Sequence, residues 1–333
     1  MSFDAFRCYA PAAFFLAGFA WDAVTLGRTI TTIDLFLLLG YLIGAAAILT
    51  AIGRGVTFRG SRYMNAVLQF FFGGIFSALF IFYFLSAGGL AASLFVAGLA
   101  ALLIGNEFLE SAYSELTLSW AFFTLSAIMF LNFALAHLFR SISTFWFYAG
   151  TGVALLLVLA LRRLSRHESA SIAPSAGVAV LMLALHLFNV IPPVPLVKKD
   201  MLIAHELRRT SGGYVARVES PELRFWRRSS ATFHRAGHER VYCFTSVFVP
   251  NGISTTIRHR WEVLQNDEWK TTSVVPIRIE GGRQTGYRGF TYKQNVTPGK
   301  WRVTAEAKSG AAIGILTFTV KPGTPRRMKT VRL

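Results

Sequence analysis

The sequence predicts a helical membrane bundle followed by an all-β domain, and three observations point to this fold class. Hydrophobic residues make up 53% of the 333 residues and charged residues only 15%, with a mean hydropathy of +0.46. Residues 1–197 contain long apolar runs, whereas residues after 239 alternate between apolar and polar side chains. Charge divides at the same place, with 9 basic and 7 acidic residues in 1–197 against 25 and 10 in 198–333. The apolar content excludes a disordered chain, and two cysteines exclude a disulfide scaffold.

Seven apolar runs approach the roughly 20 residues that a helix needs to cross a bilayer core. The fourth run is the shortest, and it either re-enters the membrane or extends toward Phe108. We therefore expect a transmembrane helical domain over residues 1–192. The runs are Ala10–Leu26, Ile33–Ile52, Ala66–Leu85, Leu90–Ile104, Leu118–Leu138, Phe145–Leu161 and Ala173–Ile191.

Basic residues in short loops predict the orientation, because such residues collect on the cytoplasmic side. Arg54, Arg59 and Arg62 follow the second run. Residues 162, 163 and 166, all arginines, follow the sixth run. With seven spans both loops lie on one side, which predicts a cytoplasmic N-terminus and an extracytoplasmic C-terminal domain. The first run reaches spanning length without a strongly basic leader, which favours an uncleaved signal anchor.

The C-terminal part has the pattern of a β domain. Three prolines in residues 192–195 favour a stiff extended segment, so we assign 193–237 to a proline strut and connecting segment. Residues 238–323 form the expected β core, with an alternative first strand from 214, and 324–333 form a basic tail. About seven short strands separated by turn signals favour an immunoglobulin-like sandwich. Val241–Val249 is apolar on both faces and predicts a central strand, and His259 is expected in the core.

Six stretches carry a resemblance to a known family. They are Gly18–Asp22, Asn106–Leu109 and Ile191–Leu196 in the membrane part, and Gly281–Arg283, Gly286–Phe290 and Gly299–Val303 in the β module. These stretches resemble a proteobacterial integral-membrane family whose C-terminal β module is a domain of unknown function. The resemblance implies a bacterial membrane protein, and the predicted orientation then favours the inner membrane with a periplasmic β domain. The resemblance supplies no activity and no catalytic residue.

Polar residues within or beside the apolar runs are the first candidate site, because such residues are costly in a membrane and often functional. Glu107 and Glu110 are spaced to share a helix face, as cation ligands or as an acid/base pair. The alternative is that these residues mark helix ends in contact with water. The six candidates are Asp22, Asp34, Asn106, Glu107, Glu110 and His186. Metal-ligand spacing is missing from the sequence, so we expect no metal site.

Basic residues of the β domain are the second candidate site. Four arginines point outward, and three glutamates share their parity and can pair with several of them. The arginines are Arg258, Arg260, Arg278 and Arg302, and the glutamates are Glu262, Glu280 and Glu306. In the glycine-rich connection, Arg283, Arg288 and Lys293 are the candidates for an anionic ligand.

The first expected function is a non-enzymatic envelope protein. Its β domain would bind an anionic lipid, lipopolysaccharide or an acidic glycan, or another membrane protein, and not nucleic acid. The alternative is a membrane enzyme or transporter for a lipid-linked or anionic substrate, with catalytic residues unknown. Nucleophile-elbow, Walker A and dinucleotide fingerprints do not occur in the sequence, and we expect no cofactor.

Overall fold

The computed structural model divides the chain into two compact units. The first comprises Met1–Leu85 and Leu90–Pro195, and the second comprises Ser86–Gly89 and Leu196–Leu333. The structure describes residues 19, 20, 22, 24, 31–56, 63–108, 116–165, 171–220, 229–281, 286–325 and 327–333. Helices build the first unit and strands build the second, which confirms the predicted order of a helical part followed by a β-rich part.

The helical unit contains six helices within the described residues. They are α1 (Thr32–Gly53), α2 (Met64–Ser86), α3 (Leu90–Asn106), α4 (Leu116–Leu138), α5 (Thr144–Ser165) and α6 (Ala173–Leu187). Helices α1, α2, α4 and α5 are long and apolar enough to cross a membrane, whereas α3 and α6 have 17 and 15 residues. Residues 19, 20, 22 and 24 are also helical, and the rest of the first expected span lies outside the described residues.

Polar contacts fix how the helix ends meet. Helix α1 begins with a capping box in which the Asp34 backbone N–H donates to the Thr31 hydroxyl, and the Asp34 carboxylate accepts from Thr31. Thr32 at the same end lies 3.3 Å from the His137 ring of α4. At the opposite end of α1, Arg54 donates to the Leu164 carbonyl of α5 over 2.7 Å. The C-terminal ends of α1 and α5 therefore lie at the same end of the bundle.

The β unit contains eleven strands within the described residues. They are β1 (Val197–Ala204), β2 (Glu206–Thr210), β3 (Gly213–Glu219), β4 (Thr232–Arg235), β5 (Val241–Phe248), β6 (Ser254–Gln265), β7 (Glu268–Glu280), β8 (Tyr287–Lys293), β9 (Gly299–Ala307), β10 (Ala312–Pro322) and β11 (Met328–Arg332). They form three sheets, with strand orders β1-β5-β8, β4-β10-β9-β6-β7 and β11-β3-β2. Only β4 and β10 pair in parallel among these strands.

The β1-β5-β8 sheet packs against the five-stranded sheet on one face and against the β11-β3-β2 sheet on the other. One face contributes Ile203, Val241 and Cys243 to a core that it shares with Trp261 and Trp301 of the five-stranded sheet. The other face meets the β11-β3-β2 sheet in a second core. That second core consists of Leu202, Ala204, Ala216, Val218 and Phe244. Strand β5 lies in the middle of three layers, which confirms the prediction of a central strand and explains its apolar residues on both faces.

The structure differs from the expected domain layout in residues 193–237. Strands β1 to β4 lie in this region, which the sequence assigned to a strut and connecting segment. The prolines form a turn, closed by a hydrogen bond from the Val194 N–H to the Pro192 carbonyl over 2.8 Å, rather than an extended strut. The β2 sequence, Glu206–Thr210, is polar and partly exposed, so it lacks the alternation by which an isolated strand is recognised.

Candidate functional site

Among the predicted intramembrane candidates, Asp22 has the most polar surroundings in the helical unit. Its side chain lies beside the Ser77 hydroxyl of α2, and Tyr41 of α1 lies nearby. The Tyr41 ring in turn packs against Gly74, where an added Cβ would come within 2.7 Å of the ring. Phe19 contacts α2 through the Phe80 ring, and the centroids of the two rings are 5.7 Å apart. The Asp22 carboxylate therefore lies among the helices with a hydroxyl and a phenol in its surroundings.

The other helical candidates make structural contacts. The Asp34 carboxylate caps α1, as described above. Asn106 ends α3 and donates to the Gln69 carbonyl over 3.2 Å, while the Gln69 amide donates back to the Asn106 carbonyl over 3.0 Å. His186 stacks on Phe147, with ring centroids 4.0 Å apart. These side chains link helices, which is the usual role of polar groups in a bundle.

The expected Glu107/Glu110 pair is not on one described helix. Helix α3 ends at Asn106, so Glu107 lies in the turn that follows, and its carbonyl accepts from Gln69 over 3.1 Å. Glu110 lies outside the described residues.

Three of the four outward arginines of the β unit are paired with carboxylates, as the parity of the strands predicts. Glu306 is 2% exposed and accepts two hydrogen bonds of 3.0 Å from Arg260. Arg258 lies 3.0 Å from the same carboxylate. The hydrogen bonds to Glu306 raise the pKa of Arg260 above its ordinary value. Arg302 donates to Glu262 over 2.7 Å.

The predicted anion-binding triad does not form one cluster. Arg283 lies outside the described residues. On β8, Arg288 and Lys293 are five residues apart and therefore lie on opposite faces of the strand. The Lys293 ammonium donates to the Ser273 hydroxyl over 3.2 Å, and partial burial lowers its pKa. Lys293 faces the protein interior, and only Arg288 faces outward.

A buried histidine–glutamate network joins the three sheets, and the sequence analysis did not find it. The His205 ring, between β1 and β2, donates to Glu219 of β3 over 2.9 Å and to Glu239 over 2.8 Å. Glu219 also lies 2.8 Å from the His234 ring of β4 and accepts from the His234 backbone N–H. The His205 ring stacks on Phe233 at 3.9 Å. These residues are 14 to 34 positions apart, so no local pattern connects them.

The geometry of this network requires a charged imidazole. Both nitrogens of His205 face carboxylate oxygens, and each nitrogen needs a proton to donate. Burial lowers the pKa of His205, but the hydrogen bonds and charges of Glu219 and Glu239 outweigh burial and leave it above its ordinary value. For Glu219 burial raises the pKa, and the bonds from the two histidines outweigh it and leave the pKa lowered.

A second buried histidine has the opposite electrostatic character. His259 is fully buried and lies 2.8 Å from the Thr245 hydroxyl and 2.9 Å from the Thr291 hydroxyl. Burial among neutral partners lowers its pKa to about 4. The predicted core position of His259 is confirmed.

Neither histidine site has the geometry of a metal centre. Within the described ranges, no group of three histidine, cysteine, aspartate or glutamate side chains is arranged to hold a metal ion. The two ring nitrogens of His205 each face a different carboxylate, so both are occupied by hydrogen bonds.

Comparison with known proteins gives one family match, and it lies in the β unit. Residues 254–320 match the family model described as a protein of unknown function (DUF2914). The matched segment runs from β6 to β10 and supports a C-terminal domain of unknown function. No curated protein matches the chain.

The comparison with solved structures gives a match of low similarity. It is the Pseudomonas fluorescens alkylpurine DNA glycosylase AlkC bound to DNA containing an abasic site analogue, with 10% sequence identity. The match covers 85% of this chain and 97% of that chain at a TM-score of 0.22. A score this low carries no argument about fold or function.

Proposed function

We propose that this chain is an integral protein of a bacterial inner membrane whose β unit binds an anionic component of the cell envelope. The helical unit supports the membrane assignment through its surface, where large apolar side chains are exposed on several helices. Examples are Ile33, Phe36, Phe70, Leu94, Leu156 and Val180, each at least 60% exposed. A soluble protein rarely exposes so much apolar surface, whereas the bilayer core solvates it.

Helix-end contacts support an orientation. The bond from Arg54 to Leu164 brings the C-terminal ends of α1 and α5 to one end of the bundle, and arginines lie at or just after both ends in the sequence. Under the positive-inside rule that end is cytoplasmic. With residues 10–26, α3 and α6 counted as spans, seven crossings place the β unit in the periplasm. We also propose that the five-stranded sheet and the β1-β5-β8 sheet form an immunoglobulin-like sandwich, to which the β11-β3-β2 sheet adds a third layer.

The proposal of an anionic ligand rests on the excess of basic over acidic residues in the β unit. Five of its ten acidic side chains accept from arginines or histidines within the unit: Glu206, Glu219, Glu239, Glu262 and Glu306. Internal pairing occupies these carboxylates and their partners, and residues 198–333 hold 25 basic residues in total against ten acidic ones, so the unit has an excess of positive charge. The surface potential is therefore positive, and it attracts polyanions at low ionic strength.

A binding measurement on the whole protein tests this function. The full chain in zwitterionic nanodiscs is titrated with lipopolysaccharide, vesicles rich in phosphatidylglycerol, and an acidic polysaccharide. We expect binding to at least one of them at low salt and release as salt rises. The proposal fails if none of the three binds at low salt.

A topology measurement tests the orientation separately. A reporter that is active only outside the cytoplasm, fused after Leu333, should be active. Activity of a cytoplasmic reporter at the same position, with the periplasmic one silent, would show that a span has been miscounted.

The polar cluster around Asp22 favours a second candidate function, a membrane enzyme or transporter for a lipid-linked or anionic substrate. Asp22, Ser77 and Tyr41 lie close together among apolar helices, where ionisable groups usually serve transport or catalysis. The test is Asp22→Asn, with Asp34→Asn as the matched control because Asp34 caps a helix. If the deletion phenotype is reproduced by Asp22→Asn at normal expression and not by the control, this second function is supported.

A further inference from the structure

One face of strand β8 extends beyond the layer that covers the rest of its sheet. Strand β8 pairs with β5 so that Phe290 lies opposite Phe244 and Tyr292 lies opposite Tyr242. Phe244 is covered by the β11-β3-β2 sheet and is 1% exposed. Phe290 and Tyr292 lie past this cover and are 38% and 51% exposed. Two aromatic rings are thus presented to solvent on a rigid strand.

Neighbouring rings extend this surface into a row. The Tyr242 ring lies 6.2 Å from Phe290 and 5.8 Å from Tyr292, measured between centroids. Tyr214 of β3 lies 5.9 Å from Phe290 in an edge-on arrangement. Strand pairing fixes the backbone under these rings, so little conformational entropy is lost when a ligand packs against them.

Two arginines flank the row of rings. The Arg240 guanidinium lies 4.9 Å from the centroid of Tyr292. With its amide oxygen turned toward Arg240, Gln294 accepts from that guanidinium over 2.9 and 3.1 Å. On β8, Arg288 reaches the Gly212 carbonyl at 3.5 Å, a long contact.

These two arginines differ from those of the five-stranded sheet. In the part of the chain that the structure describes, no carboxylate pairs with Arg240 or Arg288, so both charges are left for a ligand. We call the surface formed by Tyr214, Tyr242, Phe290, Tyr292, Arg240 and Arg288 the aromatic–arginine face.

We propose that the aromatic–arginine face binds an acidic polysaccharide. Sugar rings pack against Phe290 and Tyr292, and sugar carboxylates pair with Arg240 and Arg288. This inference rests on the proposed function and names its ligand class. A pyranose ring presents C–H groups on one side, which are attracted to the negative face of an aromatic ring. Its carboxylate matches the planar donor fork of a guanidinium.

The arrangement of the face favours a polysaccharide over a bilayer surface. An anionic bilayer attracts any basic residue near it, with no requirement for exposed rings beside the charges. Here the rings lie in a row, with the Arg240 guanidinium beside Tyr292 and Arg288 on the same face of β8, and within the described residues neither guanidinium is paired with a carboxylate. A polymer that alternates apolar ring faces with carboxylates complements both features, and it does so along the strand direction.

Titration of the full chain in zwitterionic nanodiscs with polygalacturonate tests the inference, with dextran as the neutral polysaccharide. Wild type should bind polygalacturonate and not dextran. Arg240→Gln and Tyr292→Ser should each weaken binding about tenfold, the effect of losing one charge-assisted or stacking contact. Tyr292→Phe keeps the ring and should bind within about twofold of wild type.

Matched control variants separate a specific site from diffuse charge. Arg278→Gln removes an exposed arginine from β7, and Val274→Ser removes an exposed apolar side chain from the same strand. Both should bind within about twofold of wild type. Hydrogen exchange in β5 and β8 should match wild type in all variants, which excludes unfolding as the cause of lost binding.

Three outcomes would overturn the inference. Equal losses from Arg278→Gln and Arg240→Gln would mean that only net charge matters. Loss of binding in Tyr292→Phe as large as in Tyr292→Ser would exclude ring stacking. Binding to phosphatidylglycerol vesicles but not to polygalacturonate would identify a lipid ligand and leave the proposed function intact, whereas failure with every anionic probe would remove both.

Discussion

The network around His205 predicts a stability that depends on pH within the β unit. Because the pKa of His205 is higher in the folded state, the folded protein binds more protons than the unfolded chain above the ordinary value of 6.5. The free energy of unfolding therefore falls as pH rises through this window. A difference of one proton gives a slope of about 1.4 kcal/mol per pH unit, or about tenfold in the opening equilibrium.

Below pH 6.5 the His205 contribution is complete, and other groups determine the slope. His259 binds its proton only near pH 4 in the folded state, so the unfolded chain binds more protons between 4 and 6.5. Stability attributable to His259 therefore decreases as pH falls below 6.5. The two histidines together predict maximal stability of the β unit near pH 6.5.

Glu219 makes the same network less stable when the pH is lowered. Its folded pKa lies below the ordinary value of 4.5, so its contribution is present above that value and is lost as pH falls through the folded pKa. Removing its charge by Glu219→Gln leaves two histidines short of an anionic acceptor. Because Glu219 is 7% exposed, we expect a cost of about 3 kcal/mol, or roughly 100-fold in opening.

Hydrogen exchange, measured by mass spectrometry on the full chain in detergent micelles, tests the predicted pH dependence of stability. After correction for intrinsic exchange, peptides from β1, β3 and β4 should open more often at pH 8 than at pH 6.5. His205→Gln should abolish the increase in opening between pH 6.5 and pH 8. The same variant should keep the loss of stability that wild type shows below pH 6.5. His238→Gln removes an exposed histidine near the network and should behave as wild type. A wild-type slope of zero above pH 6.5, or an unchanged slope in His205→Gln, would refute the reasoning.

Three further substitutions test other parts of the structure. Glu306→Gln should destabilise β9 by about 3 kcal/mol, because it leaves Arg260 facing an amide; exchange in β9 that matches wild type would contradict the ion pair. Gly281→Ala should disrupt the turn before β6, since an added Cβ would lie 1.8 Å from the Pro250 carbonyl oxygen; an unchanged melting temperature would argue against this contact. Thr31→Ala should cost α1 about 1 kcal/mol by removing its cap, detectable as faster exchange in the first turn of α1 but not in α4.

The two candidate sites of the β unit show which contacts strand parity predicts and which contacts composition does not. Parity along β6 and β9 correctly placed Arg260 and Glu306 on the same face, because both residues lie on ladders whose period is two. Parity also shows that Arg288 and Lys293 lie on opposite faces of β8. The glycine-rich composition of that segment suggested a cluster that the strand geometry does not form.

The sequence by itself predicted the long helices, several strands of the β unit and the faces that these elements bury. Apolar length defines the long helices, and alternation places Ile257, Trp261 and Val303 in the core, because burial of apolar area acts residue by residue. Only the tertiary structure decided which distant groups meet. Whether β2 is a strand, how His205 reaches Glu219 and Glu239, and why Phe290 stays exposed beside the buried Phe244 depend on how three sheets stack. Such contacts between residues far apart in sequence follow from the packing of whole layers, and no local pattern records that packing.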